Sequence, residues 1–221
     1  MILVKNGNKK ESIKTVFLQS HYAKRTTKPI KALPIILCLL VTSCITVAPI
    51  VSPHSRIDIY GVSSLPPQNG QWSVIIASGY QMSLAKSGEI DNESLVVEVS
   101  IFQLPEFETD EDFLTYVQQG RASEPDTGRF RAIQNEESLS VLHDATCVKY
   151  HSVSEDNAAQ IKGGNVASML LENLGYNCQH PLNKLVGVHI EYSLRHYPDT
   201  VYSSFESDAN GFFGNIEFTR F

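Results

Sequence analysis

VGVHIEYSL, residues 186–194, is the stretch from which the architecture follows. Val186, Val188, Ile190, Tyr192 and Leu194 alternate with Gly187, His189, Glu191 and Ser193. A period of two with β-branched and aromatic residues on one side predicts a half-buried strand. One face must be covered by the core while the other stays polar, which is the signature of an antiparallel sheet rather than a buried parallel one.

The same period recurs upstream. Leu95, Val97, Val99 and Ile101 face one way and Glu98 and Ser100 the other, giving a strand over 95–101. Trp72 to Ala77 and Tyr80 to Lys86 read as a strand pair, set off by the turn cluster LPPQNG at 65–70. Three shorter strands are expected at about 128–134, 137–142 and 145–153, followed by a polar loop over 154–164. Residues 166–176 fit a helical period as well as a strand, and the meander-like surroundings favour a strand.

Two segments change period. Thr109 with Asp112 three residues on reads as a capping box, and Asp110, Glu111 and Asp112 suit the positive end of a helix dipole. An amphipathic helix is expected over 110–119, ended by Gly120. A second helix is expected after Pro198, capped by Asp199 or Thr200, carrying Val201, Phe205 and Ala209 and stopped by Gly211. A last strand over 212–218 closes the chain. The class is α+β: a mainly antiparallel sheet with about two helices packed on it, in one domain over 57–221.

The N-terminal region is different in kind. LPIILCLLVTSC at 33–44 is too short to span a bilayer, which takes about 20 apolar residues, and has the length of a signal-peptide core. Lys24, Arg25, Lys28 and Lys31 precede it. Val41-Thr42-Ser43-Cys44 resembles the lipobox of bacterial lipoproteins. That resemblance implies diacylglyceryl attachment to Cys44, cleavage before it and anchoring in the cell envelope. Ile45, where an Asp would imply inner-membrane retention, implies an outer-membrane protein facing the periplasm. On this reading residues 1–43 are a signal segment with an unusually long basic region, and 44–56 are the lipidated cysteine and a proline-bearing tether. Residues 1–23 carry no periodic pattern, and a later translation start is expected; the only other methionines are Met82 and Met169.

Removing that segment changes the charge balance. Residues 1–43 hold eight of the 18 basic residues and one of the 24 acidic ones, so 44–221 carries a balance of −13 against −6 for the whole chain. So acidic a body argues against nucleic-acid binding, which needs basic patches. Cys147 and Cys178 are then the cysteines of the mature body. An even pair in an exported protein reads as a disulfide; two free thiols or half of a metal site are the alternatives.

The order of strands, helix, strands, helix and closing strand also resembles, at the level of architecture, the PsbP-like fold. No functional residue follows from that likeness.

Catalytic and cofactor motifs are lacking. GxSxG, HExxH, GxGxxG and the phosphate-binding GxxxxGK[ST] do not occur. No metal or other cofactor is expected. His151 and His189 fall on polar sides of two strands, with Glu191 or Asp144 as neighbours, and are read as structural or solvated. Tyr176, His180, Arg195 and Tyr197 form a candidate binding rim around the Cys178-Gln179-His180-Pro181 turn. The expected function is a lipid-anchored envelope module that binds a protein or small ligand. An envelope hydrolase with a site among His151, His180 and His189 is the alternative.

Overall fold

A computed structural model describes residues 48–123 and 128–221, all within one unit spanning Ile45–Phe221. The signal segment, Cys44 and the start of the tether lie outside the described residues. Ten strands and two helices follow in the order β1 (Ile57–Ile59), β2 (Val62–Ser64), β3 (Ser73–Ala77), β4 (Gln81–Ser87), β5 (Ser94–Gln103), α1 (Asp110–Ala122), β6 (Phe130–Leu142), β7 (Ala145–Gln160), β8 (Val166–His180), β9 (Asn183–His196), α2 (Phe205–Phe213) and β10 (Ile216–Phe218). Seven strands form one antiparallel sheet in the order β3-β4-β5-β9-β8-β7-β6, and β1-β2-β10 form a small second sheet. The α+β expectation holds.

The 186–194 strand sits at the centre of the large sheet as β9, paired with β5 on one side and β8 on the other. Its apolar face does what its spacing predicts. Val188, Ile190, Tyr192 and Leu194 are buried with Leu95, Val97 and Val99 of β5 and with Leu174, Tyr176 and Cys178 of β8. Phe205, Ala209, Phe212 and Phe213 of α2 close that core. On the other face a smaller cluster, Leu104, Phe113, Val117 and Val148, seats α1.

The capping box at α1 forms as read: Asp112 N–H donates to Thr109 Oγ1 at 3.1 Å and Thr109 N–H donates to the Asp112 carboxylate at 3.0 Å. The helix runs on through Gly120 to Ala122. Arg121 accounts for the extra turn, because it reaches Glu137 at 2.7 Å and lies 3.7 Å over the Tyr150 ring, enough to offset a helical glycine's cost of about 1 kcal/mol. The second helix begins later than expected, at Phe205, and passes through Gly211. Residues ahead of it are tied down as a turn: the buried Glu93 carboxylate accepts from Tyr197 N–H and from the Tyr202 hydroxyl, and Val201 is left exposed.

The strands at 128–134 and 137–142 are one strand, β6, with a bulge between Ala132 and Gln134. The expected loop at 154–160 is the outer half of β7. It reads as a loop because its core-facing spacing gives way to charge. Asp156 there is buried and takes a two-pronged bond from Arg129, both contacts 2.7 Å. Arg129 donating to it, with a backbone N–H and Arg195 nearby, outweighs burial and holds its carboxyl below the usual range. The expected tether is docked over its described part. Ile50 pairs with Ser73 at the sheet edge, and Arg56 binds Ser63, Asn215 and Glu217. Its prolines hid this edge pairing, since Pro49 contributes only an acceptor.

Cys147 and Cys178 form a disulfide between β7 and β8, directly opposite each other in the register. It locks the β7–β8 register, where a slip of one residue would turn the apolar set of β8 outward. A sequence separation of 31 corresponds to about 3–4 kcal/mol of lost unfolded-state entropy. Reduction, or the double change of Cys147→Ser and Cys178→Ser, is therefore expected to lower Tm by about 6–16 °C; an unchanged melting curve on reduction would contradict this.

Gly175 of β8 carries the second expectation. A Cβ there would lie 2.4 Å from the Tyr150 hydroxyl and 2.5 Å from Ile190 O. Gly175→Ala is expected to cost about 1–3 kcal/mol by overpacking. Combined with Tyr150→Ala it should cost clearly less than the sum of the two single changes in a denaturant-based double-mutant cycle. A single-change cost within about 0.5 kcal/mol, as for an ordinary surface substitution, would refute the packing described.

Candidate functional site

The register sets the polar face of the large sheet in rows about 7 Å apart. Phe102, Gly187 and Gln179 form one row; Ser100, His189, Asn177 and Val148 the next; Glu98, Glu191, Gly175, Tyr150 and Glu137 the third. The two glycines are covered by rings. A Cβ on Gly187 would meet the Phe102 ring at 2.4 Å, as one on Gly175 would meet Tyr150. Aromatic rings laid over strand glycines are a recognised way to fill the gap they leave.

Because β8 has no side chain at position 175, Tyr150 crosses it and donates its hydroxyl to Glu191 Oε2 on β9 at 2.8 Å. Its ring lies parallel to His189, 11° between planes at 6.1 Å, and Arg121 covers the ring at 3.7 Å. Burial, then the neighbouring Glu191 charge, push the Tyr150 phenol well above its ordinary value, so it stays a neutral donor. The His189 Nδ1 is 3.1 Å from the Asn177 side-chain oxygen and its Nε2 is 3.9 Å from Glu191. With a carboxamide oxygen as acceptor, Nδ1 carries the proton.

α1 leaves a groove beside these rows. It has a volume of about 510 Å³ and is lined by Phe102, Tyr116, Val117, Gln119, Arg121 and Asn177. Its wall is apolar and aromatic. The next row of the sheet brings Glu98 and Glu191 face to face on adjacent strands. Like charges directly opposite repel; this pair lies one sheet row beyond Asn177, the groove's lining residue on β8. An apolar concavity with a few convergent polar groups is the usual form of a small-molecule site.

The other face carries a second concavity of about 540 Å³ between α2 and β6–β8, lined by Glu136, Lys149, His151, Glu172, Phe205 and Glu206 among others. His151 Nε2 is 2.7 Å from Glu172, and His196 Nε2 is 3.9 Å from the same carboxylate. Among the described residues no group of three or more His, Cys, Asp or Glu side chains is disposed to hold a metal ion.

The candidate rim residues are not brought together. His180 is fully buried. Its Nε2–H donates to Gly61 O at 2.8 Å, its Nδ1 accepts from Leu182 N–H at 3.2 Å, and Phe218 and Phe221 pack on its ring. Tyr176 is buried edge-on against Phe213, and burial pushes its phenol up. Arg195 and Tyr197 lie at the opposite end of the β8–β9 hairpin from His180, Arg195 beside Asp156 at 3.5 Å and the Tyr197 hydroxyl accepting from Asn92. The three histidines of the hydrolase alternative also separate: by register His151 and His189 take opposite faces of the sheet, and His180 is sealed in the core. Sequence reading missed Phe102, Tyr116, Arg121, Tyr150 and Asn177. Gly175 and Gly187 were the available signals, since a glycine at a regular strand position marks a close approach.

No family model matches the chain, and no curated protein matches it. Among solved structures, it is similar to a point mutant of the protein Mog1, at 10% identity and a TM-score of 0.42, over 75% of this chain and 96% of that one. It is similar to a protein from Bacteroides thetaiotaomicron VPI-5482 at 10% identity and a TM-score of 0.40, over 76% of this chain and 50% of that one. It is also similar to the cyanobacterial PsbP (CyanoP) of Synechocystis sp. PCC 6803, at 14% identity and a TM-score of 0.35, over 81% of this chain and 98% of that one.

Proposed function

We propose that the protein is a lipid-anchored binding module of the bacterial cell envelope, held through Cys44 and facing the periplasm. Its ligand is a small molecule with an apolar body and a cationic head, taken up in the groove beside α1. One observation carries the ligand class: the groove has an aromatic wall of Phe102 and Tyr116, and the opposed carboxylates Glu98 and Glu191 stand on the same sheet face, one row beyond Asn177 of its lining and two rows from Phe102. A cation between those carboxylates relieves their repulsion, and ring faces attract quaternary ammonium groups by about 0.5–2 kcal/mol. The surplus of 13 acidic over basic residues in 44–221 adds a long-range field of the same sign.

Binding rather than turnover is favoured by how the site's donors are committed. Tyr150 is spent on Glu191, Arg121 on Glu137 and Tyr150, and His189 on Asn177. A hydrolase needs a nucleophile and base in mutual reach with an orienting group behind them. The His151, His180 and His189 side chains supply no such cluster.

Three probes of matched size test the reading on the purified full chain: benzyltrimethylammonium, benzyl alcohol and benzoate. The cation is expected to raise Tm and to bind measurably by calorimetry, with the alcohol weaker and benzoate inert. Glu98→Gln and Glu191→Gln should each weaken the cation by about 5–10-fold, or roughly 1–1.4 kcal/mol. Benzoate binding as well as the cation, or affinity indifferent to both substitutions, would overturn the assignment.

A further inference from the structure

We infer that the exposed half of edge strand β3, with the aromatic cluster beside it, rests on the lipid bilayer. The inference depends on the lipid anchor at Cys44 proposed above and goes beyond it by fixing which surface faces the membrane.

The chain's path supplies the first argument. Val51 N–H donates to Trp72 O, Ile50 pairs with Ser73, and Val74 N–H donates to Pro49 O. This pairing is antiparallel. Reading back from Val51 to Pro49 therefore moves along β3 from Trp72 to Val74, toward Ile75 and Ile76. Pro49 is five positions beyond Cys44, and a fully extended chain covers at most about 18 Å over that distance. An acylated Cys44 is thus held within that reach of Pro49, which Val74 N–H binds across one strand spacing of about 5 Å.

The second argument is what lies there. Among the described residues, the docked segment covers only the first part of the β3 edge. Beyond it the register shifts between Val74 and Ile76, and the bulge leaves Ile75 and Ile76 exposed together. Tyr80, at 65% exposure, lies 5.9 Å from the Tyr60 ring, which in turn lies 4.7 Å from that of Phe221. Tyr60 N–H donates to Gly79 O at 2.7 Å, binding this cluster to the β3–β4 turn. Exposed residues of this kind, grouped instead of scattered, mark an interaction surface. A bare apolar sheet edge is also an aggregation hazard unless something covers it. Tyrosine, with an apolar ring and a polar tip, is suited to the bilayer's headgroup level. Docking would hold α1 and its groove on the sheet face, clear of the lipid-contacting edge.

The test uses the full chain, matured in cells and reconstituted in phosphatidylethanolamine–phosphatidylglycerol vesicles. A nitroxide is attached at Ile76→Cys, at Tyr80→Cys or at Ile133→Cys on the far edge strand β6. The mass of the N-terminal peptide is read from the same samples. At positions 76 and 80 the ratio of oxygen to nickel-chelate accessibility should rise above that at 133, with no spin–spin broadening. An acylated chain with all three labels equally aqueous would overturn the docking and leave the anchor standing. An unacylated, uncleaved chain would overturn the anchor, and the docking with it. Protection at 76 and 80 accompanied by spin–spin broadening would show a second copy of the chain on this edge and would refute the bilayer as its occupant.

Discussion

One hydrogen bond organises the polar face of this protein: Tyr150 of β7 donating to Glu191 of β9 across a strand that has no side chain to obstruct it. Everything near it is placed by that reach. The ring lies parallel to that of His189, and Arg121 covers it at 3.7 Å. Arg121 is thereby fixed to the sheet, which extends α1 through a glycine and sets the wall of the groove. The constraint is steric before it is electrostatic, since any Cβ at position 175 meets the Tyr150 ring and a backbone carbonyl.

The two faces of the large sheet divide the work. One is a conventional core, where β5, β8 and β9 bury aliphatic and aromatic side chains against α2 and the small sheet. The disulfide holds the register there. The other face stays polar over much of its area, and α1 covers only part of it. The fold therefore has a rigid back and a half-open front, and the front offers binding groups on strands whose positions the core fixes. Sites carried on such elements are held more accurately than sites on loops. At the far end, the Arg129–Asp156 pair does for the outer halves of β6 and β7 what the core does elsewhere, with Arg195 adding a second cation.

Much of this was legible in the residues. Alternation over 95–101 and 186–194 located the two central strands, and Thr109 with Asp112 located the start of α1. Residues 154–160, read as a loop, are strand with polar side chains on both faces, so their period carries no hydrophobic signal; the strands expected at 128–134 and 137–142 are present, and only their joining through the polar Asn135 and Glu136 went unread. The delayed start of α2 depends on Glu93, distant in sequence, gripping Tyr197 and Tyr202. The rim proposed around His180 illustrates the same limit. A histidine next to a cysteine and a proline suggests a presented group, yet long-range contacts with Gly61, Phe218 and Phe221 bury it. Conversely, Tyr150 and Arg121 look ordinary in sequence, and only the register that sets Gly175 between Tyr150 and Glu191 gives them a role.

The groove beside α1, with the paired carboxylates one row beyond it on the same sheet face, is assigned a cationic ligand. Nuclear Overhauser contacts from the methyl protons of bound benzyltrimethylammonium, in the isotopically labelled chain, locate that ligand without any substitution. Contacts to the Glu98 and Glu191 side chains are expected, with the benzyl ring against Phe102 and Tyr116. Contacts instead to His151, Glu172 and Phe205, in the concavity on the opposite face, would refute the assignment.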